Sequence, residues 1–353
     1  MSDDWTGQIA ITGMGLVTPV GLKADVAIAA MRAGISRLGE LPYLDIEVDE
    51  DEFAPVIGAE VPVIPEGQHG TAKLVRFVAH SVADAISDAR LENKTVVEVF
   101  LGTAGDRPAE RVLNQTPDLK DALIEAIPAG LQVRDVNILP VGRAAALQAI
   151  RAAAQLISAG EVQVAIAGGV DSWAQPRSLL WLREQKRLRE FPRRTGILPG
   201  EAGGFLVLES VSHARSRGAA IQAFITSAAG QSQAARDDKP EDGRTLGETL
   251  KSAVQGINDP HALVVSDFNG ERYRAHEWML AVPKGMWRYE TLRHWHPAEY
   301  VGDTGAASGV ISTAWAAQAL HRGYAKTPHV LVWGASDEGA REALMVGGLE
   351  GAA

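Results

Sequence analysis

The feature that most limits what this chain can fold into is a pattern that it runs through twice. VEVFLGTAG reads as a buried strand ending near Gly102, ALQAIRAAAQLISAG as a helix of small residues, and VQVAIAGG as a second buried strand. Further on, ALVVSDFNG, AASGVISTAWAAQALHRG and HVLVWGASDE repeat that order. At the strand after the long helix, Gly168 and Asp171 of GGVDS correspond to Gly334 and Asp337 of GASDE, both at a spacing of 166 residues. Just before the helices, Val141-Gly142-Arg143-Ala144 parallels Val301-Gly302-Asp303-Thr304 at a spacing of 160 residues, a difference that a loop absorbs. Such self-similarity marks an internal duplication, with its junction near Ser210–Ala220. It divides the chain into halves at 1–214 and 215–353. Short strands alternating with helices predict a layered α/β protein. Pseudo-symmetry sets the two helix starts against each other, a position that suits helices rich in Ala and Gly and buried on all sides.

Composition narrows the function. The 353 residues, 46% hydrophobic and 22% charged, can bury a sizeable core. A formal net charge of −10 argues against a nucleic-acid binder, which needs a basic face for phosphates. The local exception is Arg183, Lys186, Arg187, Arg189, Arg193 and Arg194, interrupted by Glu184 and Glu190. That run reads as a solvated helix end or loop, with docking of an acidic partner as the functional alternative. The start MSDDWTGQ is acidic, and the apolar stretch Ala144–Val170 is cut by Arg151 and Glu161. Neither a signal peptide nor a membrane span is therefore expected, and a cytoplasmic location is. The chain has no cysteine, which excludes a disulfide, a thiolate metal site and a thiolate nucleophile.

Four stretches, in order, resemble the β-ketoacyl synthases of the thiolase-like superfamily. They are ITGMGLVTPVG at Ile11–Gly21, VQVAIAGGVDS, GILPGEAGGFLVLES at Gly196–Ser210, and GDTGAASG. The likeness runs from about residue 8 to about residue 345. Glycine suits these motifs because strands there turn into closely packed helices. GMGLVT also imitates the start of a dinucleotide fingerprint, but Thr18 stands where the third glycine belongs. The resemblance implies duplicated βαβαβαββ halves forming a five-layered α-β-α-β-α sandwich.

The resemblance also implies a cysteine at a helix N-terminus, two histidines and a lysine, which together condense an acyl chain with a malonyl unit. Carried over by position, the cysteine falls on Arg143 and the histidine of the last motif on Asp303. The lysine falls near Ala298, and the other histidine is replaced by Asn269 in SDFNGER. The family's C-terminal gating loop corresponds to WGASDEG at Trp333–Gly339, and the stretch before its glutamate motif is shortened to FPRRTGILPGE. No catalytic residue, cofactor or metal is expected. The opposite charges of Arg143 and Asp303 suggest an ion pair filling the old pocket, with an anion site at Arg143 as the alternative.

The expected function is that of a non-condensing, ketosynthase-like adaptor or subunit. Its expected partner is a paralogous ketosynthase, an acyl carrier protein or another protein, in a homodimer or heterodimer, with no nucleic acid and no membrane. VQVAIAGG is the strand expected to carry the dimer contact as an apolar edge. The alternatives are an acyltransferase working through other residues and an acyl-chain or small-molecule binding protein. Ser172 and Thr304 are the nearest hydroxyls for such chemistry, and no Gly-x-Ser-x-Gly elbow supports a serine hydrolase. His294 and His296 of RHWHPAEY form a poor metal site without a third ligand and read as a surface or interface loop. Asp106, Arg107 and Glu110, like Asp267, Glu271 and Arg272, sit where α/β folds place binding loops but read as charge-paired. RDDKPEDGRTLGE reads as an exposed loop.

Overall fold

The computed structural model describes residues 5–49, 52–62, 70–105, 117–190, 194–233 and 242–349. In chain order, the strands are β1 (Trp5–Val17), β2 (Gly39–Asp49), β3 (Glu52–Gly58), β4 (Val96–Gly102), β5 (Gln132–Leu139), β6 (Val164–Ser172), β7 (Glu201–Ser210), β8 (Ala223–Ser232), β9 (His261–Ser266), β10 (Thr291–Trp295), β11 (His329–Ala335) and β12 (Ala340–Gly347). The helices that matter here are α1 (Ala24–Arg32), α2 (Thr71–Ala89), α3 (Pro117–Ala126), α4 (Ala145–Ser158), α5 (Pro176–Glu184), α6 (Val211–Ser216), α7 (Arg244–Ala253), α8 (Arg272–Gly285), α9 (Ala298–Val301) and α10 (Ser308–His321).

Ten strands form one sheet in the order β10-β9-β11-β12-β8-β1-β7-β6-β4-β5, and β2 and β3 form a separate antiparallel pair. Read outward from the antiparallel β1–β8 pair, the two wings have the same plan. β1-β7-β6-β4-β5 is matched by β8-β12-β11-β9-β10, parallel in the outer pairs and antiparallel at β6–β7 and β11–β12. A strand plan of this complexity repeated strand for strand is the structural form of the repeat in the sequence.

The layers follow from which faces are apolar. α4 and α10 lie between the wings, and each touches strands of both. Their alanines, with Ile150, Val310 and Ile311, join the inner faces of β1, β6, β7, β8, β9, β11 and β12 in one core. α2 and α3 cover the outer face of the first wing through Phe77, Val78, Val82 and Leu123. α7 and α8 cover the second through Leu246, Leu250 and Ala281. Helix, sheet, helix, sheet and helix are therefore stacked as five layers. Ala and Gly are needed in the middle one, where a side chain added at Gly309 of α10 would lie 2.6 Å from the Leu147 side chain of α4.

The interior position of β6 corrects one expectation. VQVAIAGG is not an edge, because β6 is paired with β4 on one side and β7 on the other and is buried along its whole length. Its apolar run belongs to a central strand covered on both faces. The ends of the sheet are β5 and β10.

Candidate functional site

Both central helices are preceded by a single 3-10 turn, Gly142–Ala144 before α4 and Gly305–Ala307 before α10. Gly142 and Gly305 open these turns at φ +70° and +51°, a conformation that favours glycine. The pairing of the turns moves the repeat register inferred from sequence. Arg143 corresponds to Ala306, and Asp303 lies before the equivalent turn rather than opposite Arg143. Both VG motifs precede a helix, but the second has three more residues before its helix begins, a difference the residue pattern alone does not mark.

The turns meet. The Ala306 N–H donates to Asp171 Oδ2 at 2.8 Å, and Gly169 lies so close beneath that a Cβ there would be 2.4 Å from the Ala306 carbonyl oxygen. In this junction Arg143 is 3% exposed and Asp303 2%. The Arg143 Nη1 donates to Asp303 Oδ2, an ion pair sealed from water. The Asn269 Nδ2 donates to the same oxygen at 2.8 Å and to Glu271 Oε2 at 2.9 Å, and the Gly305 N–H donates to Asp303 Oδ1 at 2.9 Å. Three of the four positions carried over from the family resemblance thus share one hydrogen-bonded knot. Ala298, the fourth, opens α9 and has no polar side chain to add. Arg143 also lies 5.4 Å from the centre of the Trp173 ring, a cation–π contact that shields its other face.

The knot extends into a charged layer. The Arg187 Nε and Nη2 donate to the two oxygens of Glu271 at 2.7 and 2.9 Å, and its Nη1 donates to Asp337 Oδ2 at 2.9 Å. Arg274, 1% exposed, donates to Asp267 Oδ2 at 3.1 Å, Asp337 Oδ1 at 3.2 Å and the Ala335 carbonyl at 2.7 Å. The Tyr273 hydroxyl donates to Asp337 Oδ1 at 2.6 Å. Three guanidiniums and the carboxylates of Asp267, Glu271, Asp303 and Asp337 therefore interlock. Burial pushes the Asp303 carboxyl up, but Arg143 and Asn269 outweigh it and hold the group below its ordinary value. At Asp337 burial is likewise outweighed by Arg187, Arg143 and Arg274, which hold it well below. Asp267 goes the other way, because its burial exceeds the pull of Arg274. The inner members Arg143, Asp267, Arg274 and Asp303 need each other, since a lone buried ion is costly, while Arg187 and Asp337, with 19% and 33% of their side chains exposed, form the solvent edge of the layer.

The other residues singled out from sequence are placed as follows. Ser172 donates to Glu201 Oε2 at 2.7 Å, and that carboxylate also takes Lys73 Nζ at 2.7 Å. Thr304 and Ser308 share a hydrogen bond of 3.1 Å. Asp267 and Glu271 are charge-paired, while Arg272 begins α8 on the exposed side. Asp106, Arg107, Glu110, Arg193 and the first six residues of RDDKPEDGRTLGE lie outside the described residues, while its RTLGE is not an exposed loop but the start of α7, with Leu246 and Gly247 buried against the second wing.

Two readings are corrected. Arg187 is half-buried at the edge of the charged layer rather than in a solvated run, although Arg183, Arg189 and Arg194 are exposed. His294 and His296 do not sit in a surface loop. Their rings are 4.2 Å apart, and His294 is packed against Phe268 and Trp278, each 4.9 Å away. Burial drives the His294 pKa down to about 3, and that of His296 down as well. Sequence reasoning missed Arg274 and the site role of Arg187. Asp337 had a signal as the repeat partner of Asp171, and Asp267 and Glu271 as charge-paired residues of a binding-loop position.

Comparison with known proteins agrees with this architecture. Residues 142–214 match the family model of the β-ketoacyl synthase N-terminal domain. The chain is 23% identical over 254 residues to 3-oxoacyl-[acyl-carrier-protein] synthase 2 of Vibrio cholerae, covering 62% of this chain and 61% of that protein. It is 25% identical over 251 residues to the tetracenomycin polyketide synthase ketoacyl synthase beta subunit of Streptomyces glaucescens, covering 60% of each. The matched stretch thus spans about three fifths of each of these two relatives. Among solved structures, the ishigamide ketosynthase/chain length factor superimposes with a TM-score of 0.78 at 20% identity, over 98% of this chain and 100% of that one. A type II polyketide ketosynthase bound to its acyl-carrier protein, AntDE:AntF, gives 0.77 at 16% identity, over 98% and 100%. The chain has the thiolase-like fold of the β-ketoacyl synthases and is similar to them in sequence.

Proposed function

We propose that this protein is a non-condensing member of the ketosynthase-like superfamily, acting as a subunit or adaptor beside a cysteine-bearing ketosynthase, an acyl carrier protein or both. The observation that carries the reading is the knot of Arg143, Asp303 and Asn269. Where the resemblance expects a thiol and two imidazoles, there is a guanidinium whose charge is neutralised by a buried carboxylate. A guanidinium does not act as a nucleophile at neutral pH, and a carboxylate locked to it is a poor proton acceptor. Similarity to a ketoacyl synthase beta subunit and to a ketosynthase/chain length factor supports a place beside an active paralogue.

The proposed protein works in the cytoplasm, with its halves meeting at residues 214 and 215. It self-associates or pairs with a paralogue through β5, whose only strand neighbour among the described residues is β4. Among those residues no helix is long and apolar enough to cross a membrane.

The test is a condensation assay with acyl- and malonyl-loaded carrier protein, run with the chain alone and with a cysteine-bearing ketosynthase from the same cells. The expected outcome is no carbon dioxide release and no β-ketoacyl product from the chain alone, with a change in product yield or chain length once the partner is present. Turnover by the purified chain alone sinks the proposal.

A further inference from the structure

Away from the charged knot, the end of β10 and the two helices α1 and α10 enclose a chamber of about 330 Å³. Its walls are aromatic. Trp295 is stacked on Trp315 at 5.0 Å between centroids and on Tyr324 at 6.1 Å, and Tyr300 meets Trp315 edge-on at 5.9 Å. A second, more open cavity of about 480 Å³ adjoins it and is lined by Arg32, Arg322, Gln318 and Asp25. Arg32 and Tyr324 border both cavities, and the Arg32 guanidinium carbon lies 4.1 Å from the Tyr324 ring centre. The stacked pair is the border that the two cavities share.

The outer cavity carries two guanidiniums, Arg32 and Arg322, against one carboxylate, Asp25. Both arginines line it beside Tyr324, and among the described residues neither forms an ion pair. Of the two acids nearby, Asp25 turns one oxygen to its own helix, accepting from the Val26 N–H at 2.8 Å. Glu299 of α9 is exposed and lines the inner chamber together with Arg32. Burial keeps His294 and His296, which also border that chamber, neutral at physiological pH, so they add no charge to it. An aromatic-walled chamber beside two planar, five-donor cations matches a flat ring carrying a carboxylate.

We propose that this double cavity is a binding site for an aromatic carboxylate, with the ring held against Trp295 and Trp315 and the carboxylate held by Arg32 and Arg322. The volumes lie in the range of small-molecule sites, and the inner chamber accommodates one or two fused rings. The site lies outside the charged knot and does not depend on the subunit reading above.

The probe is 2-naphthoate, titrated calorimetrically into the full chain, with the neutral 2-naphthalenemethanol as its comparison. The expected result is saturable one-to-one binding with a Kd on the order of 0.1 mM, as a ligand of this size gives, and at least tenfold weaker binding of the alcohol. Arg32→Gln combined with Arg322→Gln removes the tenfold advantage of the acid without moving the thermal midpoint, because both side chains are exposed. Trp295→Leu weakens acid and alcohol alike. If Trp295→Leu lowers the thermal midpoint, the arginine variant alone decides. Equal affinity for acid and alcohol, an advantage that survives loss of both arginines, or no saturable heat at millimolar naphthoate overturns the proposal.

Discussion

At the scale of single residues, the interior is organised by charges that cannot be changed one at a time. Asp303 accepts from Arg143, Asn269 and the Gly305 N–H, so every acceptor position that matters is engaged. Asp303→Asn keeps the shape but removes the charge, leaving Arg143 with only Glu271 at 3.9 Å. Breaking one partner of a buried ion pair costs about 3–5 kcal/mol, and a loss of about 3 kcal/mol is expected in urea unfolding of this variant. The double variant Arg143→Met with Asp303→Leu removes both charges. It is expected to lose less than Asp303→Asn alone, because no buried charge is left unpaired and only the neutral donors of Gly305 and Asn269 lose an acceptor. If the double variant is the less stable of the two, the pair contributes to stability rather than merely being tolerated.

At the scale of elements, the fold rests on close approaches that only glycine allows. Gly15 of β1 faces α2 so closely that a Cβ would lie 2.0 Å from the Ser81 carbonyl oxygen, a backbone atom that cannot swing away. Gly15→Ala must lift the helix from the sheet and is expected to cost about 2 kcal/mol, in the range of overpacked cores. Gly39→Ala, with no atom within 4 Å of the added carbon, is the control and should stay within about 0.5 kcal/mol of wild type in the same urea titration. These glycines are also why so much was legible in the sequence. β1, β4, β6, β9 and β11 and the helices α4 and α10 announce themselves because central elements are continuously apolar or small. The edge strands β5 and β10 do not, since QVRDVNIL and TLRHW alternate without an apolar run, and their partners are remote in sequence. The pair β2 and β3 was missed for the same reason. In the site, Arg143, Asp303 and Asn269 were legible because motifs fix their places. Arg187 was not, because no spacing rule links a cation to carboxylates 84 and 150 residues further on, and Arg274 was not, because its nearby acids Asp267 and Glu271 read equally well as a solvated loop and helix start.

At the scale of the whole molecule, the three cores and the buried charges tie stability to pH, and His294 gives the dependence its clearest component. Its imidazole is packed between Phe268 and Trp278, bonds to the Ser266 hydroxyl at 2.7 Å, and titrates at about 3 because burial disfavours the charged ring. In the unfolded chain it titrates at its ordinary value of 6.5. Between those values the unfolded state binds the extra proton, so stability is fully present above pH 6.5 and drains away as the pH falls toward 3. Asp303 and Asp337, held low, push in the same direction, but only below the ordinary carboxylate range. Glu201 and Asp267, which burial raises, push the opposite way, since their neutral forms are favoured in the folded state. The window from pH 6.5 down to about 5 therefore isolates the histidine from the lowered carboxylates. His294→Phe keeps an aromatic ring in the cluster and removes the titration. Unfolding free energies of the two proteins, measured by urea at a series of pH values, should converge as the pH falls from 7 to 5. A shift of one pH unit in this window changes their difference by about 1.4 kcal/mol at most, the full linkage of one proton. Parallel curves would mean that the ring opens to water and titrates in the folded state as it does in the unfolded one. The cluster of His294, His296, Phe268 and Trp278 would then be mobile in solution, and the inner wall of the aromatic chamber with it.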